Sequence, residues 1–302
     1  MHRLSCCLAV IVVTALAACG SGKDAPPGTG TATATAASPG TGAATAVPPP
    51  GDAAPAGPTL TIAQVPAVAG VVQHTQDDAV QDLSIAEADA GPPTSLRMER
   101  HVTKRTKVLD VRGAFRTRVE VHYEAARDVQ TAAGKTEEHA LPVAGKTYVV
   151  ARDDAGKLVM ATVDGKAVSD DERAFLEEDF GSELGRLPGM AAILTGRAWT
   201  QGAPVALGAV DIAQVAADMG AADEVKTATV TWTGTDAQIA SFEVVIDLVR
   251  AGAVKMPMKA IVKLDVAHAR PVEVLGTATI EGATPDGKIT GTMTVHTLNR
   301  YE

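Results

Sequence analysis

The sequence predicts an α+β fold: a curved antiparallel β-meander, half-barrel-like, with two short helices inserted mid-chain. Apolar and polar residues alternate through the last third of the chain, and a period of two marks half-buried strands. The same alternation recurs, less regularly, in the part before residue 163. Between these β-rich parts lie two stretches with apolar residues at helical spacing. Strands, then helices, then strands is the order of an α+β domain.

Residues 1–18 stand apart from that domain. Arg3, with His2 beside it, gives a short positive start; Leu4 to Leu16 is uncharged and largely apolar; Ala17 and Ala18 close the segment with small side chains. These are the three parts of a secretory signal. The run is too short to span a bilayer, which takes about 20 apolar residues. An ordinary cleaved signal shares these features, but Leu16-Ala17-Ala18-Cys19 followed by Gly20 resembles the lipobox of bacterial lipoproteins residue by residue. In that family the cysteine thiol receives a diacylglyceryl group, the leader is cut before it, and the new amine is acylated. The resemblance therefore implies lipid attachment at Cys19, with a membrane as partner through the anchor. Two or more chains hold firmly where one is marginal, at about 0.8 kcal/mol per buried CH₂. Gly20 in place of an aspartate implies the outer membrane, facing the periplasm or the cell surface. All three cysteines fall in the first 19 positions, so the exported domain has no disulfide, thiolate metal site or cysteine nucleophile.

Residues 19–58 contain little but Gly, Pro, Ala and Thr. Nothing there can fill a core, and this composition gives a disordered tether with a reach of roughly 30–40 Å. Residues 59–302 then read as a single domain, because no second linker of this kind interrupts them. The chain carries a net charge of −9, one unit more negative once Arg3 leaves with the leader. An acidic body without a basic cluster excludes nucleic acid and adhesion to anionic headgroups.

Within the body, Val119, Val121 and Tyr123 alternate with Glu120, His122 and Glu124. The segment TYVVARDDAGKLVMATVDGK reads as a hairpin turning at Asp153-Asp154-Ala155-Gly156. LRMERHVTKRTKVLDV suggests a strand with one fully solvated face. The first helix, SDDERAFLEEDFGSEL, opens on Ser169 with Glu172 three residues on, a capping box. Acidic residues suit its positive end, and Phe175, Leu176 and Phe180 form an inner stripe. The second, VDIAQVAADMG, spaces Ile212, Val215, Ala216 and Met219 along one face and stops at Gly220. LPGMAAILTGRAWTQGAPVAL, between them, is apolar but broken, a helical turn and a packed loop.

Five segments of the C-terminal third read as consecutive meander strands. Ala228, Val230 and Trp232 share one face, as do Phe242, Val244, Ile246 and Leu248, and then Met256, Met258, Ala260, Val262 and Leu264. PVEVLGTATIEG and GKITGTMTVHTL follow, joined by turn chemistry at Pro285, Asp286 and Gly287. A long meander around a short helical insertion, behind a lipobox and linker, resembles in architecture the half-barrel envelope carriers of lipoproteins or lipids. TYVVARDDAGKLVMATVDGKAVSDDE with GRAWTQGAPVAL also resembles uncharacterised lipoproteins of outer-membrane bacteria, a group with no known activity.

No Gly-x-Ser-x-Gly elbow, Ser-x-x-Lys, His-Glu-x-x-His or phosphate-binding glycine loop occurs. The nearest ligand pair, His122 and Glu124, sits on the polar side of an alternating strand. Acidic residues 170–179 lack EF-hand spacing, and Asp164-Gly165 and Asp286-Gly287 read as hairpin turns. Neither catalytic nor metal-binding residues are expected, nor a cofactor. What remains is the apolar face of the meander: Trp232, Phe242, Val244, Met258 and Val262. Two readings stay open for it, a core packed on the helices or the lining of a cavity for an apolar, lipid-like ligand. A scaffold or protein-binding module of the envelope needs only the filled core, and a hydrolase is a third, distant class.

Overall fold

Long antiparallel strands form wherever the period-two pattern runs. The computed structural model describes residues 57–302, apart from 88–91, 182, 188, 220–222, 251–253 and 285–286. The leader, Cys19, the tether up to residue 56, the helix stop at Gly220 and the turn residues Pro285 and Asp286 lie outside the described residues. The chain enters through β1 (Thr59–Thr61) and continues into β2 (Val72–Glu87), β3 (Thr94–Arg112) and β4 (Phe115–Ala132). Shorter strands follow: β5 (Lys135–Ala140), β6 (Thr147–Arg152) and β7 (Leu158–Thr162). The helical insertion comprises α1 (Asp170–Phe180), α2 (Gly189–Leu194), β8 (Ala198–Thr200), β9 (Pro204–Ala206) and α3 (Ala209–Met219). The meander closes the chain as β10 (Asp223–Asp236), β11 (Ile239–Arg250), β12 (Val254–Asp265), β13 (Arg270–Thr284) and β14 (Gly287–Tyr301).

One open, curved sheet carries almost all of these strands, in the order β7-β6-β4-β3-β2-β14-β13-β12-β11-β10-β9, with β5 on the far part of β4. The first long strand and the last, β2 and β14, pair along their whole length, from Gly287 opposite Glu87 to Tyr301 opposite Gln73. This pairing joins the two β-rich parts into a single surface. β1 pairs with β8 in a separate two-stranded ribbon.

The alternating residues fill two cores on one face of the sheet. Phe242, Val244, Ile246, Leu248, Met256, Met258 and Val262 are buried against Trp199, Leu194 and Val215 of the insertion. On the other side Val119, Val121, Tyr123, Tyr148 and Val150 pack on Leu176 and Phe180 of α1. Phe175, also in the expected stripe of α1, is half-buried and meets Tyr123 edge-on at 5.6 Å.

Three details differ from the sequence reading. Three helices, not two, are present among the described residues: the helical turn expected before the second is the six-residue α2. Asp164-Gly165 is a turn leading from β7 into α1, not a hairpin, since no strand follows it. The inward side of β3 is itself partly polar, with Lys104 and Thr106 buried between Val102 and Val108. No helix of the described residues is long and apolar enough to cross a membrane.

The capping box of α1 forms as expected: Glu172 N–H donates to Ser169 Oγ at 3.3 Å, and Ser169 N–H donates to Glu172 Oε2 at 2.6 Å. Glu172 also accepts from Lys146 Nζ and Tyr148 OH, each at 2.7 Å. The Lys146 bond, then those of Tyr148 and the Ser169 amide, hold its carboxyl down at about 2. A depressed carboxyl adds stability that is complete above its unfolded value and lost as pH falls through the folded one. Glu172→Gln should therefore flatten the loss of thermal stability between about pH 4.5 and pH 2. An acid limb as steep as that of the wild type would show that Glu172 plays no such part.

Candidate functional site

Cross-strand register lines up one row of inward-facing residues across the sheet. From β10 to β4 it reads Trp232, Phe242, Val262, Val274, Thr297, Asp77, Val102 and Ala126. Apolar side chains occupy both ends, and the polar pair Thr297–Asp77 sits between them at the β14–β2 junction. The next row toward the strand ends holds Asn299, Thr75, Lys104 and Tyr123. A polar seam thus separates the two hydrophobic cores.

Over this seam lies a cavity of about 300 Å³. Its sheet side is polar where β2, β3 and β14 contribute Thr75, Asp77, Lys104, Thr297 and Asn299, and apolar where β11, β12 and β13 contribute Ile246, Val262 and Val274. Met190 of α2, Val215 of α3 and Phe180 of α1 cover it from the insertion. The segment after β1 completes the wall with Val65, Pro66, Ala67 and Val68. That segment is held in place by Ala67 N–H donating to Ala114 O at 3.0 Å and Gly70 N–H to Val108 O at 2.8 Å. Val68 remains 53% exposed, and His268 and Arg270 also line the cavity.

Most of the polar groups here satisfy one another. Gln73 donates to Asn299 Oδ1 at 2.8 Å and Thr75 donates to the same oxygen at 2.9 Å. Lys104 is ion-paired with Asp179, which also accepts from Tyr123 OH at 2.5 Å. Arg116 is paired with Glu183, and His268 with Asp265 at 2.7 Å. The exception is the row between: Asp77 Oδ1 and Thr297 Oγ1 are buried with no well-formed hydrogen bond among the described residues, although the Thr297 hydroxyl is near enough to the Asp77 carboxyl to draw its pKa down. An unsatisfied buried polar group costs about 1–3 kcal/mol, so such groups point to a ligand or to strain held for function. Burial pushes the Asp77 carboxyl up to about 6, against the pull of the Lys104 ammonium. Burial also lifts Tyr301, at the end of the seam, to about 12.

Of the five residues singled out from the sequence, Val262 lines this cavity. Trp232, Phe242, Val244 and Met258 are buried in the adjoining core, where Phe242 meets Trp199 edge-on at 5.4 Å. The polar half of the site escaped sequence reading altogether. Its one signal is VQHTQDDAVQDL, in which β2 carries polar residues on both of its faces. His122 does not meet Glu124 but bonds Thr147 Oγ1 at 2.9 Å, and no cluster of three or more His, Cys, Asp or Glu suited to a metal occurs among the described residues.

Fold and site together define a class: an open antiparallel sheet whose helical insertion leaves an amphipathic cavity on the covered face. No protein-family model matches the chain, and no curated protein matches it. Among solved structures, one described as lipid-protein interactions in lipovitellin is similar to 78% of this chain and 26% of that one, with a TM-score of 0.43 and 6% sequence identity. The chain thus spans well under two thirds of that protein's length, and a likeness of this degree carries no argument about function.

Proposed function

We propose that this protein is a lipid-anchored lipoprotein of the bacterial envelope whose domain binds an apolar, lipid-like ligand in the cavity over the seam. The cavity itself carries the reading: about 300 Å³ bounded by Ile246, Val262, Val274, Met190 and Val215, beside a packed hydrophobic core. Its volume lies at the lower end of the usual range for small-molecule sites, about 300–1,000 Å³. Methionine at its edge adapts to ligands of irregular shape. The lipobox at Leu16-Ala17-Ala18-Cys19 supports the anchor, and the tether up to residue 58 lets the domain work near, but not in, the outer membrane. The protein binds; it does not catalyse.

Two measurements test this. Cys19→Ser should move the protein from the membrane fraction to the soluble one or leave its precursor uncleaved; unchanged fractionation would overturn the anchor. A fluorescent acyl probe should bind the Cys19→Ser chain at one site, and Val262→Trp, which fills the cavity, should reduce that binding at least tenfold. Equal binding by both chains would place the site outside this cavity, and no binding by either would turn the reading to an envelope scaffold with no ligand.

A further inference from the structure

The cavity has a direction. Along the central row, Val262 and Val274 are apolar, while the next two positions, Thr297 and Asp77, are polar. Thr297 Oγ1 and Asp77 Oδ1 are buried without a well-formed hydrogen bond, although the two side chains face each other across the strands. We propose that the cavity takes a single-chain amphiphile with an uncharged, hydroxyl-bearing head, which bonds Asp77 and Thr297 while its chain lies across Val274 and Val262. This rests on the ligand-binding reading above and names the ligand class.

A hydroxyl head suits both orphaned groups, because it donates to the Asp77 carboxylate and accepts from the Thr297 hydroxyl. An anionic head faces the Asp77 and Glu183 carboxylates, while Lys104 is already paired with Asp179, Arg116 with Glu183, and Arg270 lies over the Tyr301 ring. A cationic head meets Lys104 beside Asp77, with Arg116, Arg186 and Arg270 also in the lining. A neighbouring row shows the contrast: Thr75 and Asn299 bond each other and ask nothing of a ligand. The cavity volume leaves room for one chain rather than several. From β2 to β12 is three strand steps, about 14 Å at the usual interstrand spacing, so a medium-length chain fits the row.

Calorimetric titration of the full-length Cys19→Ser chain, free of detergent, provides the test. The probes are monolauroylglycerol, lauric acid and dodecylamine at neutral pH. Monolauroylglycerol should bind at least tenfold more tightly than either charged probe. Asp77→Leu and Thr297→Val should each erase about tenfold of that preference; Thr297→Val keeps the side-chain shape and decides the matter where Asp77→Leu does not fold. Equal affinity for the three probes, or a preference that survives both substitutions, overturns the head assignment and leaves the apolar-ligand reading standing. No binding of any probe overturns both.

Discussion

Asp179→Ala should destabilise the domain by about 3–5 kcal/mol, the cost of removing one partner from a buried ion pair. Asp179, on the last turn of α1, accepts from both the Lys104 ammonium and the Tyr123 hydroxyl. The Lys104 side chain is only 8% exposed, so the substitution leaves a charge and a phenol buried without their acceptor. Burial by itself draws the Lys104 ammonium down, yet Asp179, Asp77 and Glu183 together keep it above the ordinary lysine value. Burial and the Asp179 charge push Tyr123 up as well. Replacing both members, Lys104→Met with Asp179→Leu, should recover part of the loss, because an apolar pair of similar volume carries no desolvation penalty while the Tyr123 hydroxyl still lacks its acceptor. Urea unfolding midpoints measure all three chains. A single substitution that costs less than about 1 kcal/mol, the value of an exposed pair, would show that α1 is not fastened to the sheet this way.

Trp199→Ala should cost a similar amount, about 3–5 kcal/mol, as large-to-small changes of a buried aromatic do. Trp199 is fully buried, donates from Nε1 to Leu194 O at 3.0 Å, and sits edge-on to Phe242 at 5.4 Å. Its backbone pairs with Leu60 in the β1–β8 ribbon. Its side chain therefore ties the end of α2 to the C-terminal meander, and its backbone adds the segment entering the domain. Trp199→Phe should fall between wild type and alanine, keeping most of the ring packing but losing the bond to Leu194. Equal losses for Phe and Ala in chemical denaturation would mean that the hydrogen bond, not the packing, holds this joint.

The strands and their inward faces were legible because Phe242, Val244, Ile246 and Leu248 fill one face while Glu243 and Asp247 mark the other, even with Val245 on that outer side. The α1 capping box was legible from Ser169 and Glu172, since its spacing is local. The pairing of β2 with β14 was not, because β2 carries Gln73, Thr75 and Asp77 on one face and His74, Gln76 and Asp78 on the other. A strand polar on both faces gives no signal of which side is covered. Lys104 also looked solvated, because its acceptor, Asp179, comes from α1, 75 residues further on. Sequence reading therefore reached the apolar arm of the central row, at Phe242 and Val262, and stopped short of Thr297 and Asp77. The candidate site became visible only where distant strands met.

Extraction of any lipid the protein carries tests the central proposal most directly. The full-length protein, purified from the cells that make it and washed free of bulk lipid, is extracted with organic solvent, and the non-covalent lipid is quantified by mass spectrometry beside the Val262→Trp chain. Acyl groups on the proposed anchor at Cys19 would be covalent and stay with the polypeptide, so they would not enter the count. The expected result is about one single-chain lipid per wild-type molecule and almost none from Val262→Trp. No lipid from the wild type, or the same amount from both chains, would contradict a ligand-binding cavity.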